Sequence, residues 1–480
     1  MPIRNLNITM AYWFIGNFKD KKMLLKPTNR MNKKSKSINN FASLFKQKSI
    51  EDRLFEANNL INFVELKKDR SALPELELAI GLLEENLLDY GDCETSALLL
   101  ARLFLWQDRL EEALELCNKI LNLNKYNYLG LHIRGIAQLH MGEVDGAIID
   151  LLFLHKINPE HGLVAWNLAN AYFLRKTYKL AWSVFDRANS VLFNNYPKVP
   201  LWSGEDLDNT NIILTQYNSR GGGDDIMYAQ IIPEVLNIVK SAFIETDPRT
   251  FSLYQQSFKG QNIFLSGDTP WVDHTKIDFQ IMVPSLGTLF RQEEFQFKNN
   301  NSYLKPARTE IKRWDKLTKK IANKNLKVGI CWRSLISIGL TGPFSSNLDD
   351  WEEILKIPNI SFFELQYDES EKERQRAENL FNTEIHKLDN VDMMTEFEKI
   401  SAICLNMDIV ISAVTTVALI ANASGARVWE LRPEYTALDM SGLPCFPNRQ
   451  IYFRGHSESW KTVLSQVAKD LNKLMNESRE

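Results

Sequence analysis

Small residues recur every 34 positions in the first half of the chain, and this period constrains the fold more than any other feature of the sequence. Two series share one register: Ala113, Ala147 and Ala181, and Ala101, Gly135 and Ala169. Small residues at such spacing are expected where two antiparallel helices approach closely. Asn124, and Asn158 with Pro159, lie where the second helix of a unit should end. The spacing predicts helical hairpin repeats over residues 51–195, with a partial fourth unit around Ala79.

Apolar residues at helical spacing fill the segments between these positions, as at Leu168, Tyr172, Trp182 and Phe185. Together with the period, they resemble tetratricopeptide repeats. Such repeats bury their apolar faces only by stacking, and the stack leaves a concave groove that commonly binds peptide or protein. The alternative is that the array only supports the next domain or mediates self-association.

The length of 480 residues exceeds what one hydrophobic core sustains, so we expect two or three folding units. The 57 basic and 60 acidic residues leave a net charge of −3, which argues against a nucleic-acid partner. No apolar run approaches the roughly 20 residues of a membrane-spanning helix, so we expect no transmembrane segment. Residues 1–50 include a stretch rich in Lys, Asn and Ser, which predicts a basic, poorly ordered leader.

The cysteines and histidines show no metal-binding or disulfide pattern. The five cysteines are far apart in apolar runs: Cys93, Cys117, Cys331, Cys404 and Cys445. An odd, scattered set suits a reducing compartment, so we expect a cytoplasmic protein. The seven histidines have no close ligand spacing, so no metal site is expected.

After residue 200, short apolar strands alternate with amphipathic helices, which is typical of a parallel α/β fold. Strands are predicted at 211–216, 326–332, 360–365, 385–388, 408–411 and 427–431. The simplest architecture is α + α/β: a solenoid followed by two Rossmann-like lobes, residues 196–320 and 321–480, the second with a C-terminal helix.

A glycine-rich loop is predicted after the first strand, with a helix from about residue 226 to 239. Its residues are Gly221, Gly222, Gly223, Asp224 and Asp225. Glycines let the backbone approach a ligand, and a helix N-terminus offers free N–H groups to phosphate. Each aspartate either caps the helix or acts as a catalytic carboxylate.

Residues 408–425 combine a strand, a hydroxyl-rich turn and an alanine-rich helix. Ser412, Thr415 and Thr416 cluster at the predicted helix start. Hydroxyls and free backbone N–H groups at this place would hold a diphosphate, with help from the helix dipole. The alternative is that a Ser or Thr only caps the helix.

Short segments in a specific order carry a further resemblance over residues 200–474. They are 202–205 (WSGE), 221–226 (GGGDDI), 245–249 (ETDPR), 284–287 (PSLG), 303–304 (YL), 329–334 (GICWRS), 365–367 (LQY) and 412–429. The sequence resembles bacterial tetratricopeptide-repeat glycosyltransferases, whose catalytic half is similar to the heptosyltransferase family (glycosyltransferase family 9) and distantly to O-linked N-acetylglucosamine transferases. The resemblance implies a GT-B fold, with the acceptor mainly at the first lobe and the nucleotide sugar mainly at the second.

The same resemblance implies roles for individual residues. Asp224 aligns with the loop aspartate that serves as candidate general base in heptosyltransferase-like enzymes. Arg333 is the expected cation for the diphosphate, and Gln366 lies where nucleoside contacts are expected. Inverting transfer without a metal would follow, with a nucleotide-diphosphate sugar as substrate and no cofactor.

The sequence therefore predicts a hexosyl- or heptosyltransferase that acts on a hydroxyl group of a protein or glycan, with the acceptor reaching the site by way of the repeat groove. It departs from the pattern of the related sequences at Ser219 and Gly222, and it lacks an additional arginine between Ser334 and Ser346. The alternative is a non-catalytic repeat scaffold that binds a protein partner and carries a degenerate transferase domain.

Overall fold

The computed structural model describes residues 49–67, 70–91, 93–190, 196, 198–216, 222–265, 273–297, 302–335, 344–435, 448–456 and 458–477. Three features of the sequence analysis lie outside the described residues: the predicted leader as far as residue 48, Ser219, and Gly221. No helix in the part of the chain that the structure describes is both long and apolar enough to cross a membrane. Among the described cysteines, Cys93, Cys117, Cys331 and Cys404 are free thiols.

The N-terminal region is a stack of helical hairpins. Its helices are α1 (Ile50–Lys67), α2 (Leu73–Tyr90), α3 (Glu94–Trp106), α4 (Leu110–Leu123), α5 (Tyr128–His140), α6 (Val144–Ile157), α7 (Gly162–Leu174) and α8 (Tyr178–Ser190). The partial unit around Ala79 is a complete hairpin, α1 and α2. The predicted solenoid is confirmed.

Burial of the small residues explains the 34-residue period. Ala79, Ala113, Ala147 and Ala181 are all fully buried where neighbouring helices touch. Larger side chains at these points would hold the helices apart. The predicted helix ends are also confirmed: Asn124 and Asn158 are the C-terminal caps of α4 and α6.

The turn inside three successive hairpins follows the same period and faces the α/β part of the chain. Asp108, Gly142 and Lys176 all have positive φ, at 62°, 81° and 59°. Asp108 Oδ2 lies 2.8 Å from Arg454 Nη2, and Lys176 Nζ lies 2.8 Å from Glu294 Oε1. A Cβ on Gly142 would lie 2.6 Å from the ring of Tyr435. This edge of the solenoid therefore packs against the α/β part of the same chain.

The last solenoid helix shares a core with the first lobe. Trp182 of α8 donates a hydrogen bond of 2.8 Å from Nε1 to the Arg291 carbonyl. A Cβ on Gly287 would come within 2.5 Å of the Trp182 ring, so only glycine permits this packing. The rings of Tyr178 and Phe297 lie 4.8 Å apart, which extends the same apolar contact.

The first lobe is built on four described parallel strands. Its elements are β1 (Asn211–Thr215), α9 (Gly222–Tyr228), α10 (Ile232–Leu236), β2 (Ser241–Thr246), α11 (Phe251–Ser257), β3 (Asn262–Leu265), β4 (Phe279–Met282) and α12 (Gly287–Phe290). The strand order is β3-β2-β1-β4. The predicted helix from residue 226 to 239 is wrong: α9 begins earlier, and a 3-10 turn followed by Pro233 starts a separate helix.

The second lobe has six parallel strands among its described residues. Its elements, with the preceding helix α13, are α13 (Arg308–Ala322), β5 (Leu326–Cys331), α14 (Glu352–Leu355), β6 (Ile360–Glu364), α15 (Glu371–Phe381), β7 (Ile385–His386), α16 (Phe397–Cys404), β8 (Ile409–Ala413), α17 (Thr416–Ser424), β9 (Val428–Pro433), β10 (Arg449–Arg454) and α18 (Trp460–Glu477). The strand order is β10-β9-β8-β5-β6-β7.

Helix α13 lies before residue 320 for most of its length but packs on the second lobe. It contacts β5, β6 and α16. The Asn406 side chain, just after α16, donates a hydrogen bond of 3.0 Å to the Ile311 carbonyl of α13.

Both sheets are doubly wound, which confirms the predicted α + α/β class. The strand order reverses direction between β1 and β4 in the first sheet and between β5 and β8 in the second. In open α/β sheets, ligands bind outside the carboxyl ends of the strands at such points. We therefore expect a ligand-binding site at the carboxyl edges of these two sheets.

Candidate functional site

Helices α9 and α17 bring the carboxyl edges of the two sheets together. Each follows the central strand of its sheet, β1 or β8, and the two helices pack against each other. A Cβ on Gly223 would lie 3.1 Å from Thr416 Oγ1 and 3.5 Å from Leu419 Cδ1. The two helix starts that carry the predicted acidic and hydroxyl groups thus belong to one interlobe contact.

Gly222 and Gly223 lie in the first turn of α9, so their predicted place in a loop is wrong. Neither is among the glycines with positive φ, so conformational freedom does not explain them. A Cβ on Gly222 would lie only 2.6 Å from Cε2 of Phe397, a second-lobe residue that begins α16. The absence of a side chain at both positions lets the second lobe approach this helix.

Two aspartates in the first turn of α9 have different surroundings. Asp224 is half-buried, whereas Asp225 is 4% exposed and accepts a hydrogen bond of 3.1 Å from the backbone N–H of Asp247. Burial raises the pKa of Asp225 to about 8, and the charges of Asp247 and Asp224 add to the rise. Burial of Asp225 therefore favours its protonated form. The role of Asp224 as general base stays a prediction.

Arg249, which was not among the predicted site residues, lies beside these acids. Arg249 donates two hydrogen bonds to the Asp247 carboxylate, of 2.8 and 2.9 Å. Its guanidinium carbon lies 5.5 Å from the centre of the Phe397 ring. Asp247 and Arg249 follow β2 within the segment ETDPR. An acidic and a basic residue directly after a strand are the sequence signal that could have identified them.

The second-lobe hydroxyls lie at the start of α17, as the pattern predicts. Thr415 is the N-cap, and its Oγ1 accepts a hydrogen bond of 3.3 Å from the Ala418 N–H. Ser412 is fully buried, and its hydroxyl donates to the Ala413 carbonyl at 2.8 Å. Thr416 is half-buried and faces the first lobe at Gly223. Binding of phosphate by these hydroxyls stays a prediction.

Gln366 joins the carboxyl ends of β5 and β6. Its Oε1 accepts hydrogen bonds from the backbone N–H groups of Trp332 and Arg333, at 3.2 and 3.3 Å. Its Nε2 donates to the Arg333 carbonyl at 3.0 Å. The side-chain amide is thus used within the protein, and the predicted nucleoside contact remains untested.

Arg333 lies at the carboxyl end of β5, but acidic neighbours balance its charge. Its guanidinium is 3.1 Å from Asp368 Oδ2 and 3.1 Å from Glu373 Oε2. Burial raises the pKa of Asp368, and the charge of Arg333 opposes that rise. A diphosphate would have to compete with two carboxylates for this cation, whose predicted role remains untested.

No group of three or more potential metal ligands occurs within the described ranges. The site, as far as it is described, offers hydroxyls, helix N–H groups, carboxylates and two paired arginines.

No protein-family model matches the chain. Protein FlbA of Caulobacter vibrioides is 23% identical over 366 residues, which is 70% of this chain and 60% of that protein. The chain therefore spans about three fifths of the length of this curated relative.

Solved structures similar to the chain include both classes that the sequence resembles. The heptosyltransferase II of E. coli, described as an ADP-heptose enzyme, aligns at 9% identity over 57% of this chain and 100% of that chain, with a TM-score of 0.40. An O-GlcNAc transferase of Thermobaculum terrenum aligns at 14% identity over 92% of each, with a TM-score of 0.31. A tetratricopeptide repeat protein of Parabacteroides merdae covers 31% of this chain and 55% of its own, at 19% identity and a TM-score of 0.26.

Proposed function

We propose that the chain is a glycosyltransferase that moves a sugar, hexosyl or heptosyl, from a nucleotide-diphosphate donor to a hydroxyl of a protein or glycan. The observation that carries the proposal is the contact between α9 and α17. It brings an acidic helix start from one parallel α/β lobe against a hydroxyl-rich helix start from the other. Each helix follows a central strand at the edge where such sheets bind ligands.

The proposed reaction is a single displacement. Asp224 accepts the proton of the acceptor hydroxyl while the acceptor oxygen bonds to the anomeric carbon. The bond from that carbon to the phosphate oxygen breaks, and the nucleoside diphosphate leaves with the electron pair. Attack opposite to the leaving group inverts the anomeric centre.

The leaving diphosphate would be stabilised from the second lobe. The first N–H groups of α17 and the hydroxyl of Thr416 supply donors at a positive helix end. In this proposal no metal is required. The repeat groove would guide the acceptor, and the scattered cysteines support a cytoplasmic place of action.

One observation favours a second candidate, a repeat scaffold with an inactive transferase domain. Arg333 is balanced by two carboxylates, and the amide of Gln366 bonds to backbone groups, so two expected donor contacts are occupied within the protein. A scaffold would need neither group for a ligand.

A thermal-shift panel with UDP, GDP, ADP, CMP and dTDP separates the two candidates. A ligand that binds only the folded state raises the melting temperature. The transferase proposal requires a shift with at least one of the four nucleoside diphosphates, and this shift should shrink in Thr416→Val. Thr416 is a sharper target than Thr415, because Thr415 also caps α17. No shift with any of the five in a folded sample would favour the scaffold.

Asp224→Asn tests the proposed base. It should keep the nucleotide shift but lose transfer, because only the proton acceptor changes. Normal turnover in this variant would remove Asp224 from the role of general base.

A further inference from the structure

Tyr303 bonds to both helices of the candidate site. Its backbone N–H and that of Leu304 donate to the Ala423 carbonyl of α17, at 3.0 and 3.1 Å. Its side-chain hydroxyl donates to the Ile226 carbonyl of α9, at 2.8 Å. Tyr303 is 5% exposed, so these bonds form inside the protein.

These bonds lie at a different point along the two helices from the contact between Gly223 and Thr416. At one place along α9 and α17, Gly223 meets Thr416. At a second place, Tyr303 links Ile226 to Ala423. Two points of attachment fix how one short helix is placed relative to the other, which a single contact would not do.

The carbonyl of Ala423 is at the end of α17, where helix carbonyls lack partners within the helix. Two N–H donors satisfy it, so the position of α17 along its axis is tied to residues 303 and 304. Because α17 spans nine residues, this tie also sets where Thr416 stands.

We propose that Tyr303 is a positioning residue that couples the proton-accepting helix α9 to the diphosphate-binding helix α17. The inference rests on the proposed function, because it needs a ligand at the start of α17. A nucleotide that orders α17 then also orders α9 through the Tyr303 hydroxyl, so Asp224 is held more firmly in place when the donor is bound. Such preorganisation places reacting groups within bonding distance of each other.

The chain contains a matched control for this hydroxyl. Tyr254 of α11 is fully buried, and its hydroxyl donates at 2.8 Å to the Asp225 carbonyl, the neighbour of the Ile226 carbonyl. Both tyrosines therefore hold the same turn of α9. Tyr254 does so from within the first lobe, whereas Tyr303 does so while bonded to the second.

The test is hydrogen–deuterium exchange of α9 and α17 amides, with and without each nucleotide of the panel named above. In the wild-type protein we expect the effective nucleotide to slow exchange in both helices, by about fivefold or more. In Tyr303→Phe, the slowing should persist in α17 and fall below about twofold in α9. In Tyr254→Phe, it should persist in both helices.

Retained slowing of α9 in Tyr303→Phe would overturn the inference and leave the transferase proposal intact. Absence of slowing in wild-type α17 with all five nucleotides would overturn the transferase proposal and this inference with it. If the Tyr303 hydroxyl had only a structural role, Tyr303→Phe would change the exchange rate of α9 in the absence of nucleotide. It would not change how much nucleotide slows that exchange.

A measurement on the wild-type protein tests the same link if Tyr303→Phe does not fold. The amides of Tyr303 and Leu304 should slow together with those of α9 when nucleotide is added. Slowing of α17 while residues 303, 304 and α9 exchange unchanged would contradict the coupling.

Discussion

Substitution of Gly222 by alanine tests whether this glycine serves the contact between the lobes. A Cβ there would lie 2.6 Å from Phe397 Cε2 and 3.1 Å from Cζ, while ordinary contact begins at 3.4 Å. The Phe397 ring is 3% exposed, so it cannot rotate freely into solvent. The ring or α9 itself must shift by about 0.8 Å in a densely packed interior.

The expected effect is a net loss of stability. Overpacking of this kind costs about 1–3 kcal/mol. Replacing glycine by alanine within a helix returns up to about 1 kcal/mol. We therefore expect Gly222→Ala to lower the free energy of unfolding by about 1–2 kcal/mol, and by no more than about 3.

Urea unfolding measures this change as a shift of the midpoint at constant slope. Gly81→Ala is the control, because a Cβ on that glycine of α2 would meet nothing within 4 Å. The control should be more stable than wild type by about 0.5–1 kcal/mol. Equal stabilisation of both variants would refute the reasoning, since it would show that the contact does not require glycine. Phe397→Leu should recover part of the loss in Gly222→Ala.

Two further substitutions separate charge and hydrogen bonding from packing. The folded-state pKa of Asp225, about 8, lies above its unfolded value near 4. The native state therefore holds an extra proton between these pH values. The free energy of unfolding falls as the pH rises through this range. Asp225→Asn should remove this slope, at most about 1.4 kcal/mol per pH unit, from a pH series of melting temperatures; an unchanged slope would contradict the assignment. Gln366→Ala should cost about 2–4 kcal/mol in urea unfolding, because it leaves two backbone N–H groups and one carbonyl at β5 without their partner. Unchanged stability with weaker nucleotide binding would instead support the nucleoside role.

The solenoid was predictable because a repeat is a local signal. The same spacing that places Ala113, Ala147 and Ala181 in the sequence places them at successive helix contacts. The turn residues of the hairpins follow the same 34-residue period. Their contacts with Arg454, Tyr435 and Glu294 could not be predicted from this period, because these partners lie outside the repeats.

Continuous apolar runs predicted one strand of the first sheet, β1, and five of the second, whereas β2, β3, β4 and β10 were not predicted. The strand β8 (Ile409–Ala413) is buried at every position. In contrast, β10 (Arg449–Arg454) and β3 (Asn262–Leu265) lie at sheet edges and are only partly buried. An edge strand packs on fewer neighbours, so its sequence carries less apolar signal.

The sequence by itself determined the repeat array, the order of the two α/β lobes and the clustering of Ser412, Thr415 and Thr416 at a helix start. Only the tertiary structure decided that Arg333 is balanced by acids and that Gly222 serves a contact between lobes. The physical reason is distance. Helical and strand periods relate residues near one another in the chain, whereas ion pairs and steric clearance depend on which distant segments meet in space.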